Sequence, residues 1–150
     1  MKVLRSRADI HGAVGEELGP TEWLPITQDR VDAFAEVTGD HQWIHVDTER
    51  AAAGPFGNTV AHGYLTLALI PMLATELVTY ETGGARLNYG LNKVRFPRPL
   101  PVGSRIRGRA VILEITDVPA GTQVVTRFTI EIEGVDKPAC VAEAVTLLRG

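Results

Sequence analysis

The residues of this chain that could carry chemistry are concentrated in the stretch Thr38 to Asp47. It reads Thr-Gly-Asp-His-Gln-Trp-Ile-His-Val-Asp and holds two histidines and two aspartates. A carboxylate and an imidazole that converge in a pocket of low polarity form a general acid/base pair, because histidine exchanges a proton near neutral pH. Asp40 and His45 are the candidates for such a pair, which could position and deprotonate one water molecule.

The spacing of Asp40 and His45 restricts the backbone that could bring them together. They are five positions apart, so they would diverge by about 140° on a helix and point to opposite faces of a strand. Irregular backbone is therefore required, and Gly39 stands where a left-handed residue would end a helix. Two other interpretations stay open from spacing alone. Asp40 could form a turn after that helix, and His45 could be a hydrogen-bonded, half-buried histidine without a catalytic role.

A metal site in this stretch is not predicted. His41 and His45 have the i, i+4 spacing of a zinc-binding pair, but the flanking glutamate of that motif is absent and the pair lies in a loop.

Residues 61–77 are the apolar stretch around which the rest of the chain is expected to fold. No charged side chain occurs between His62 and Thr75, and apolar residues fall on every side of a helical wheel. Such a helix must be enclosed by other elements, with a bend at Pro71, which lacks an amide hydrogen. A membrane span is not predicted, because Pro71 and Glu76 interrupt a run that would need about 20 apolar residues.

The second half of the chain supplies the strands that would enclose this helix. Upstream of it, helices are expected over residues 28–38 and 48–52, with a first strand over 21–26. Four or five antiparallel strands and one apolar helix predict an α+β fold in which the sheet curls around the helix. Four segments have the alternation of strands: Ala85 to Phe96, Ser104 to Ile115, Gln123 to Glu133 and Ala139 to Leu148.

Length and composition are typical of one globular domain spanning residues 1–150. The chain is 45% hydrophobic and 22% charged, which is sufficient for a core of its own. The net charge of −3 argues against nucleic acid as a partner. Cys140 is the only cysteine, and Met1 to Ile10 lacks the apolar core of a signal peptide. A cytoplasmic location is expected.

Basic residues cluster between Thr82 and Leu113. This stretch holds seven arginines and lysines and no acid, whereas the rest of the chain has eight basic and eighteen acidic residues. A locally positive surface suits an anionic small ligand. The alternative is a solvated strand face, because Arg105, Arg107 and Arg109 alternate with less polar residues.

The motifs of the first half resemble those of the MaoC-like dehydratases, also called R-specific enoyl-CoA hydratases or hydratase 2, and in particular their nodulation protein N-like branch. The resemblance extends from about Val14 to the C-terminal strands. Many relatives carry Asn-Pro where this chain has Gln42-Trp43, so the acyl-chain preference stays open. The motifs concerned are Phe34-Ala35, Thr38-Gly39-Asp40, Ile44-His45, Asp47 and Ala61-His62-Gly63.

This resemblance implies a hot-dog fold, in which an antiparallel sheet wraps a long buried central helix, usually paired into a homodimer. The family's catalytic Asp and His correspond to Asp40 and His45. Its oxyanion-binding amide corresponds to Gly63, since free amides at a helix start can meet a developing enolate oxygen. Close packing at the helix start is the alternative role of Gly63, and His62 is expected to bond to the loop backbone. The candidate substrate-binding residues are Gln42, Trp43 and Phe56.

The activity implied is reversible addition of water to a trans-2-enoyl-CoA thioester, giving (R)-3-hydroxyacyl-CoA. No metal or redox cofactor is required, and coenzyme A is counted as part of the substrate. Two alternatives remain: a non-catalytic acyl-thioester binding subunit or heterodimer partner, and a hot-dog thioesterase. Such thioesterases usually place a carboxylate near the start of the central helix, whereas here the first acid of that helix is Glu76.

Overall fold

The computed structural model describes residues 1–150, and the first part of the chain is mainly helical. Thr27 begins α2 by accepting a hydrogen bond from the Arg30 amide, and Gly39 ends it with φ of +79°. The strand expected over 21–26 is shortened to β3 (Leu24–Pro25), although the Thr21 and Ile26 amides on either side still donate to the Gly108 and Ser104 carbonyl oxygens. The elements are β1 (Lys2–Leu4), α1 (Arg7–Gly12), β2 (Glu17–Leu18), β3 (Leu24–Pro25), α2 (Gln28–Thr38), α3 (Trp43–Val46) and α4 (Thr48–Ala52).

The apolar stretch forms two helices, α5 (Gly63–Ala68) and α6 (Ile70–Leu77), followed by β4 (Val78–Tyr80). The helix is interrupted at Leu69, two residues before Pro71, where the bend was expected; the expectation of one continuous helix is wrong. Pro71 lies in the first turn of α6, where its missing amide does no harm. Enclosure is also incomplete in the isolated chain, since Tyr64 is 73% exposed and Met72 is 42% exposed. None of the helices is long and apolar enough to cross a membrane.

An antiparallel sheet is built from β5 (Arg86–Arg95), β6 (Arg105–Val118), β7 (Gly121–Ile132) and β8 (Cys140–Leu148). The strand order is β2-β6-β7-β8-β5, and β3 also pairs with β6. The register of β5 against β8 shifts between Asn88 and Gly90 and again between Leu91 and Lys93, which marks two irregularities in this strand. A separate two-stranded parallel pair joins β1 to β4.

One face of the sheet packs on α5 and α6. Alternate residues of β6, among them Ile106, Ala110 and Ile112, are buried in a core cluster of 25 residues. Gly108 permits close approach of α6, because a Cβ at this position would lie 3.4 Å from the Leu73 Cβ. The antiparallel sheet wrapped around central helices is the hot-dog fold that the sequence predicted.

The three arginines of β6 lie on the other face of the sheet and are ion-paired with β7. Arg107 Nε lies 2.6 Å from a carboxylate oxygen of Glu131, Arg109 Nε lies 2.9 Å from the other, and Arg105 pairs with Glu133. Partial burial raises the pKa of Glu131, but hydrogen bonds from Arg107 and Arg109 outweigh it and hold this pKa below its usual value. These three arginines therefore form an ion-paired strand face with two glutamates, which is the alternative to the predicted ligand-attracting surface.

Candidate active site

The segment between α2 and α3 carries the predicted chemistry. Gly39 adopts a left-handed conformation, so the chain turns away from the α2 axis directly before Asp40. The irregular backbone is shorter than expected, because Trp43–Val46 forms one helical turn and only residues 39–42 lie between helices. His45 therefore projects from a helical turn, while Asp40 projects from the loop that precedes it.

Asp40, His45 and His62 meet at this point. The Asp40 Oδ2 atom lies 4.0 Å from His45 Nε2 and 4.0 Å from His62 Nε2. The Asp40 side chain is 50% exposed, whereas the two histidines are buried. A half-exposed carboxylate thus faces two buried imidazoles, and solvent reaches the group from the carboxylate side.

The protonated nitrogen of the neutral His45 ring is determined by its partner. Nδ1 lies 2.6 Å from the Val60 carbonyl oxygen, which can only accept, so Nδ1 carries the hydrogen. The lone pair is then on Nε2, the atom that faces the Asp40 carboxylate. This is the tautomer that a proton acceptor needs.

Two residues that the sequence did not single out support His45 from behind. The Gln28 side-chain Nε2 donates to the His45 backbone carbonyl oxygen at 2.8 Å, and the Gln28 side-chain Oε1 accepts from the Thr59 hydroxyl at 2.8 Å. These bonds join α2, α3 and the segment before α5. No local sequence signal marks them, because the partners are 17 and 31 positions apart.

His62 is hydrogen-bonded to the loop backbone, as expected. Its Nε2 donates to the Asp40 carbonyl oxygen at 2.9 Å. Its ring stacks on that of His45 with centroids 3.8 Å apart and planes 24° apart, and the Phe34 ring contacts it edge-on at 5.0 Å. The second nitrogen, Nδ1, is buried without a hydrogen-bond partner.

The same three side chains place potential metal-ligand atoms within 4.8 Å of one another. Their geometry fits a metal ion poorly. His62 Nε2, the nitrogen nearest to the Asp40 carboxylate oxygen, carries the hydrogen that it donates to the loop and so offers no lone pair. The remaining lone pair of His62 is on Nδ1, which is buried without a partner and is not the atom nearest to Asp40.

Gly63 follows His62 directly and is the first residue of α5. Its amide has no hydrogen-bond partner in the protein, so it can donate to a ligand. Gly63 and Thr66 line a cavity of about 230 Å³ together with Phe96 and Arg98. A Cβ on Gly63 would lie 3.2 Å from the Phe96 ring. Both roles considered for this glycine, a free donor and close packing, are therefore compatible with its surroundings.

The three candidate substrate-binding residues occupy different surroundings. Gln42 is exposed at the start of α3 without a side-chain bond there. The Trp43 ring packs against Gly54 and lies 4.3 Å from the Arg50 guanidinium, so it supports α4. Phe56 lines a second cavity of about 370 Å³. Neither Gln42 nor Trp43 lines either cavity, whereas the Phe56 cavity adjoins the Gly63 cavity because Arg98 lines both.

Comparison with known proteins identifies relatives of this chain. A family model described as MaoC like domain matches residues 9–135. The chain is 53% identical over 146 residues to 3-hydroxyacyl-thioester dehydratase Z of Mycobacterium tuberculosis, with 97% of each chain covered. It is 44% identical over 149 residues to Nodulation protein N of Rhizobium leguminosarum bv. viciae, with 96% of this chain and 91% of the relative covered.

Solved structures agree in fold. An R-hydratase from Pseudomonas aeruginosa gives a TM-score of 0.73 at 25% identity and covers 91% of this chain and 81% of that one. An (R)-hydratase from A. caviae gives a TM-score of 0.74 at 22% identity and covers 90% of this chain and 96% of that one. With a family match over most of its residues and relatives that share nearly its full length, the chain belongs to the MaoC-like dehydratases, a family of hydro-lyases.

Proposed function

We propose that this chain, as a single hot-dog domain, catalyses reversible addition of water to a trans-2-enoyl-CoA thioester to give (R)-3-hydroxyacyl-CoA. The observation that carries the proposal is the 4.0 Å approach of the Asp40 carboxylate to Nε2 of His45, the nitrogen that carries the lone pair in the neutral ring. His62 contacts both residues, and Gly63, whose amide is free, follows His62 directly in the chain. An acid/base pair and an oxyanion donor are the groups that this reaction needs.

The distance between Asp40 and His45 suits one shared water molecule. At 4.0 Å the two atoms are too far apart for a direct hydrogen bond, yet a single water can bond to both. His45 Nε2 takes a proton from that water as its oxygen bonds to C3 of the substrate. The electron pair of the C2=C3 bond moves toward the thioester, and C2 then receives the proton returned by the pair. Hydroxyl and hydrogen are thereby added without any change in redox state.

The Gly63 amide is assigned to the thioester carbonyl. Negative charge develops on this oxygen as C3 is attacked, and a fixed N–H donor stabilises it. One such donor contributes about 10²–10³-fold to the rate, and general acid/base catalysis contributes about 10²–10⁴-fold. These groups provide proton transfer and charge stabilisation within the chain itself, so we propose that no metal or redox cofactor takes part.

The alternatives are less well supported. A thioesterase of this fold would be expected to carry an acid near the start of α5. The first acid of the helix pair is Glu76, near the end of α6, where it accepts a hydrogen bond from the Glu22 amide at 3.0 Å. A non-catalytic subunit does not require a His45 tautomer whose lone pair faces a carboxylate, so this geometry favours a catalytic role.

A homodimer formed along β5 is part of the proposal. β5 is an edge strand of the sheet, and Leu87, Tyr89 and Leu91 on it are 44%, 64% and 48% exposed. An apolar, unpaired edge favours pairing with another strand. Sedimentation is expected to give the mass of two chains, and a stable monomer at micromolar concentration would contradict this part.

The activity is tested with the purified chain and crotonyl-CoA. Hydration removes the conjugated double bond, so absorbance of the enoyl thioester should fall with time, and chiral analysis should give the (R)-product. A panel of longer enoyl-CoAs then establishes the chain-length preference. An inactive, folded dimer would refute the proposal, and release of free thiol without hydration would favour the thioesterase.

A further inference from the structure

His62 holds a polar atom that no structural role explains. The side chain is 2% exposed, and its Nδ1 is the only fully buried side-chain nitrogen or oxygen in the chain without a hydrogen-bond partner. Such an atom lowers stability, and an apolar ring of similar size would avoid that loss. A histidine retained at this position therefore indicates a role other than packing.

The hydrogen bond from His62 acts on Asp40 through the backbone. Nε2 donates to the Asp40 carbonyl oxygen at 2.9 Å, directly after the left-handed Gly39. The other local bonds at this residue are long: its amide lies 3.5 Å from the Thr38 hydroxyl, and the Gln42 amide lies 3.3 Å from its carboxylate. The bond from His62 is thus the shortest of the three that orient residue 40.

The ring of His62 acts on His45 by stacking. Centroids 3.8 Å apart leave no room for the His45 ring to swing toward His62, and the Val60 carbonyl oxygen holds its Nδ1 from the other end. The Phe34 ring in turn supports His62. One side chain thereby contacts both members of the acid/base pair, by a donor on one side and by a ring face on the other.

We infer that His62 is a positioning residue for the hydration reaction, which sets the separation of the Asp40 carboxylate and His45 Nε2. The inference rests on the proposed function and extends it to a third side chain. His62 does not exchange protons with substrate, since its Nε2 hydrogen is used by the loop and its Nδ1 faces the protein interior. Its loss should therefore lower kcat through misplacement of the acid/base pair and should leave the affinity for substrate unchanged.

Two substitutions separate the functions of the donor and the ring. His62→Phe keeps a stacking ring and removes both nitrogens. His62→Gln keeps an amide nitrogen the same number of bonds from Cβ as Nε2, and removes the ring. His41→Gln is the matched control, because His41 is a histidine of the same loop that is 53% exposed and faces Glu36 instead of the site.

For His62→Phe, we expect kcat for crotonyl-CoA to fall about fivefold to tenfold, the effect of losing one neutral hydrogen bond, with KM unchanged. The melting temperature should stay equal to that of the wild type or rise, since no buried nitrogen is left unsatisfied. His62→Gln should restore kcat to within about threefold of the wild type despite a lower melting temperature. His41→Gln should change neither quantity.

A purely structural role predicts the opposite relation, in which kcat follows the melting temperature across the variants. Wild-type kcat in His62→Phe, or no rescue by His62→Gln, would overturn the inference. The ¹H–¹⁵N resonance of the His41 amide gives a test without turnover, because this amide shares its peptide group with the Asp40 carbonyl oxygen that His62 bonds; it should shift in His62→Phe and return toward its wild-type position in His62→Gln. An unchanged His41 resonance would reject positioning, whereas an inactive wild-type protein with a shifted resonance in His62→Phe would reject the proposed function alone.

Discussion

Asp40→Asn is the most informative single change, because the structure separates its effects on rate and on stability. The carboxylate is 50% exposed, and its one hydrogen bond inside the protein is the 3.3 Å bond from the Gln42 amide, which an asparagine oxygen can still accept. The free energy of unfolding should therefore change by no more than about 0.5 kcal/mol. For a chain of this size that shifts the melting temperature by about 2 °C at most.

The rate should respond far more strongly. An amide cannot take a proton at neutral pH, and its NH₂ group can donate to the Nε2 lone pair of His45, 4.0 Å away in the wild type. Both members of the pair are then disabled by one substitution. General acid/base catalysis contributes about 10²–10⁴-fold, so kcat should fall at least 100-fold. The corresponding change at His45 is a poorer test, since that side chain is 9% exposed and its loss would also disturb packing.

The assay follows the loss of enoyl absorbance with crotonyl-CoA, alongside thermal melting. Asp47→Asn is the matched control: Asp47 lies in the same segment, but it caps α4 by accepting from the Arg50 amide at 3.0 Å, and asparagine caps helices equally well. It should keep the wild-type rate and melting temperature. A folded Asp40→Asn protein with kcat within a few-fold of the wild type would refute the assignment of Asp40.

Three further outcomes are expected. Gly63→Ala should lower kcat at least tenfold and also lower the melting temperature, because the new Cβ would lie 3.2 Å from the Phe96 ring and displace the amide. Wild-type activity in this variant would contradict the oxyanion role of Gly63. Arg98→Ala should raise KM for crotonyl-CoA more than KM for a phosphate-free pantetheine thioester, and added salt should reduce this difference. Arg127 is an exposed residue outside both cavities, so Arg127→Ala should leave both KM values unchanged. Equal effects of Arg98→Ala on the two substrates would exclude contact with the phosphates. Burial raises the pKa of Cys140 to about 11. The contribution of this thiol to stability is complete below the unfolded thiol pKa of about 8.5 and is lost as pH rises toward 11. Cys140→Ala should remove this loss from melts between pH 8 and 11, and rapid alkylation of the native thiol at pH 8 would contradict its burial.

The local elements of the site were predictable because their signals lie within a few residues of one another. Thr27 and Asp47 cap α2 and α4 through bonds to amides three positions ahead, and Gly39 ends α2 in the left-handed conformation. Asp40 and His45 were identifiable as a pair from residue type and from the need for irregular backbone between them. Their approach to 4.0 Å agrees with that expectation, although α3 makes the irregular segment shorter than expected.

The arginine cluster shows where sequence reasoning alone was insufficient. A run of bases without acids was expected to attract an anionic ligand. Arg107 and Arg109, however, face Glu131, which lies 24 and 22 positions away and belongs to the neighbouring strand. The register of β6 against β7 determines this pairing, and register depends on how both strands bury their other face.

By itself, the sequence determined which residues could do acid/base chemistry, where the helices of the first half begin and end, and which segments alternate as strands. These features depend on residue type and on contacts within one turn or one strand. Only the tertiary structure decided that His62 contacts both Asp40 and His45, and that Gln28 and Thr59 support His45. Those contacts join residues far apart along the chain, and they exist because packing of the core brings α2, the loop and α5 to one point.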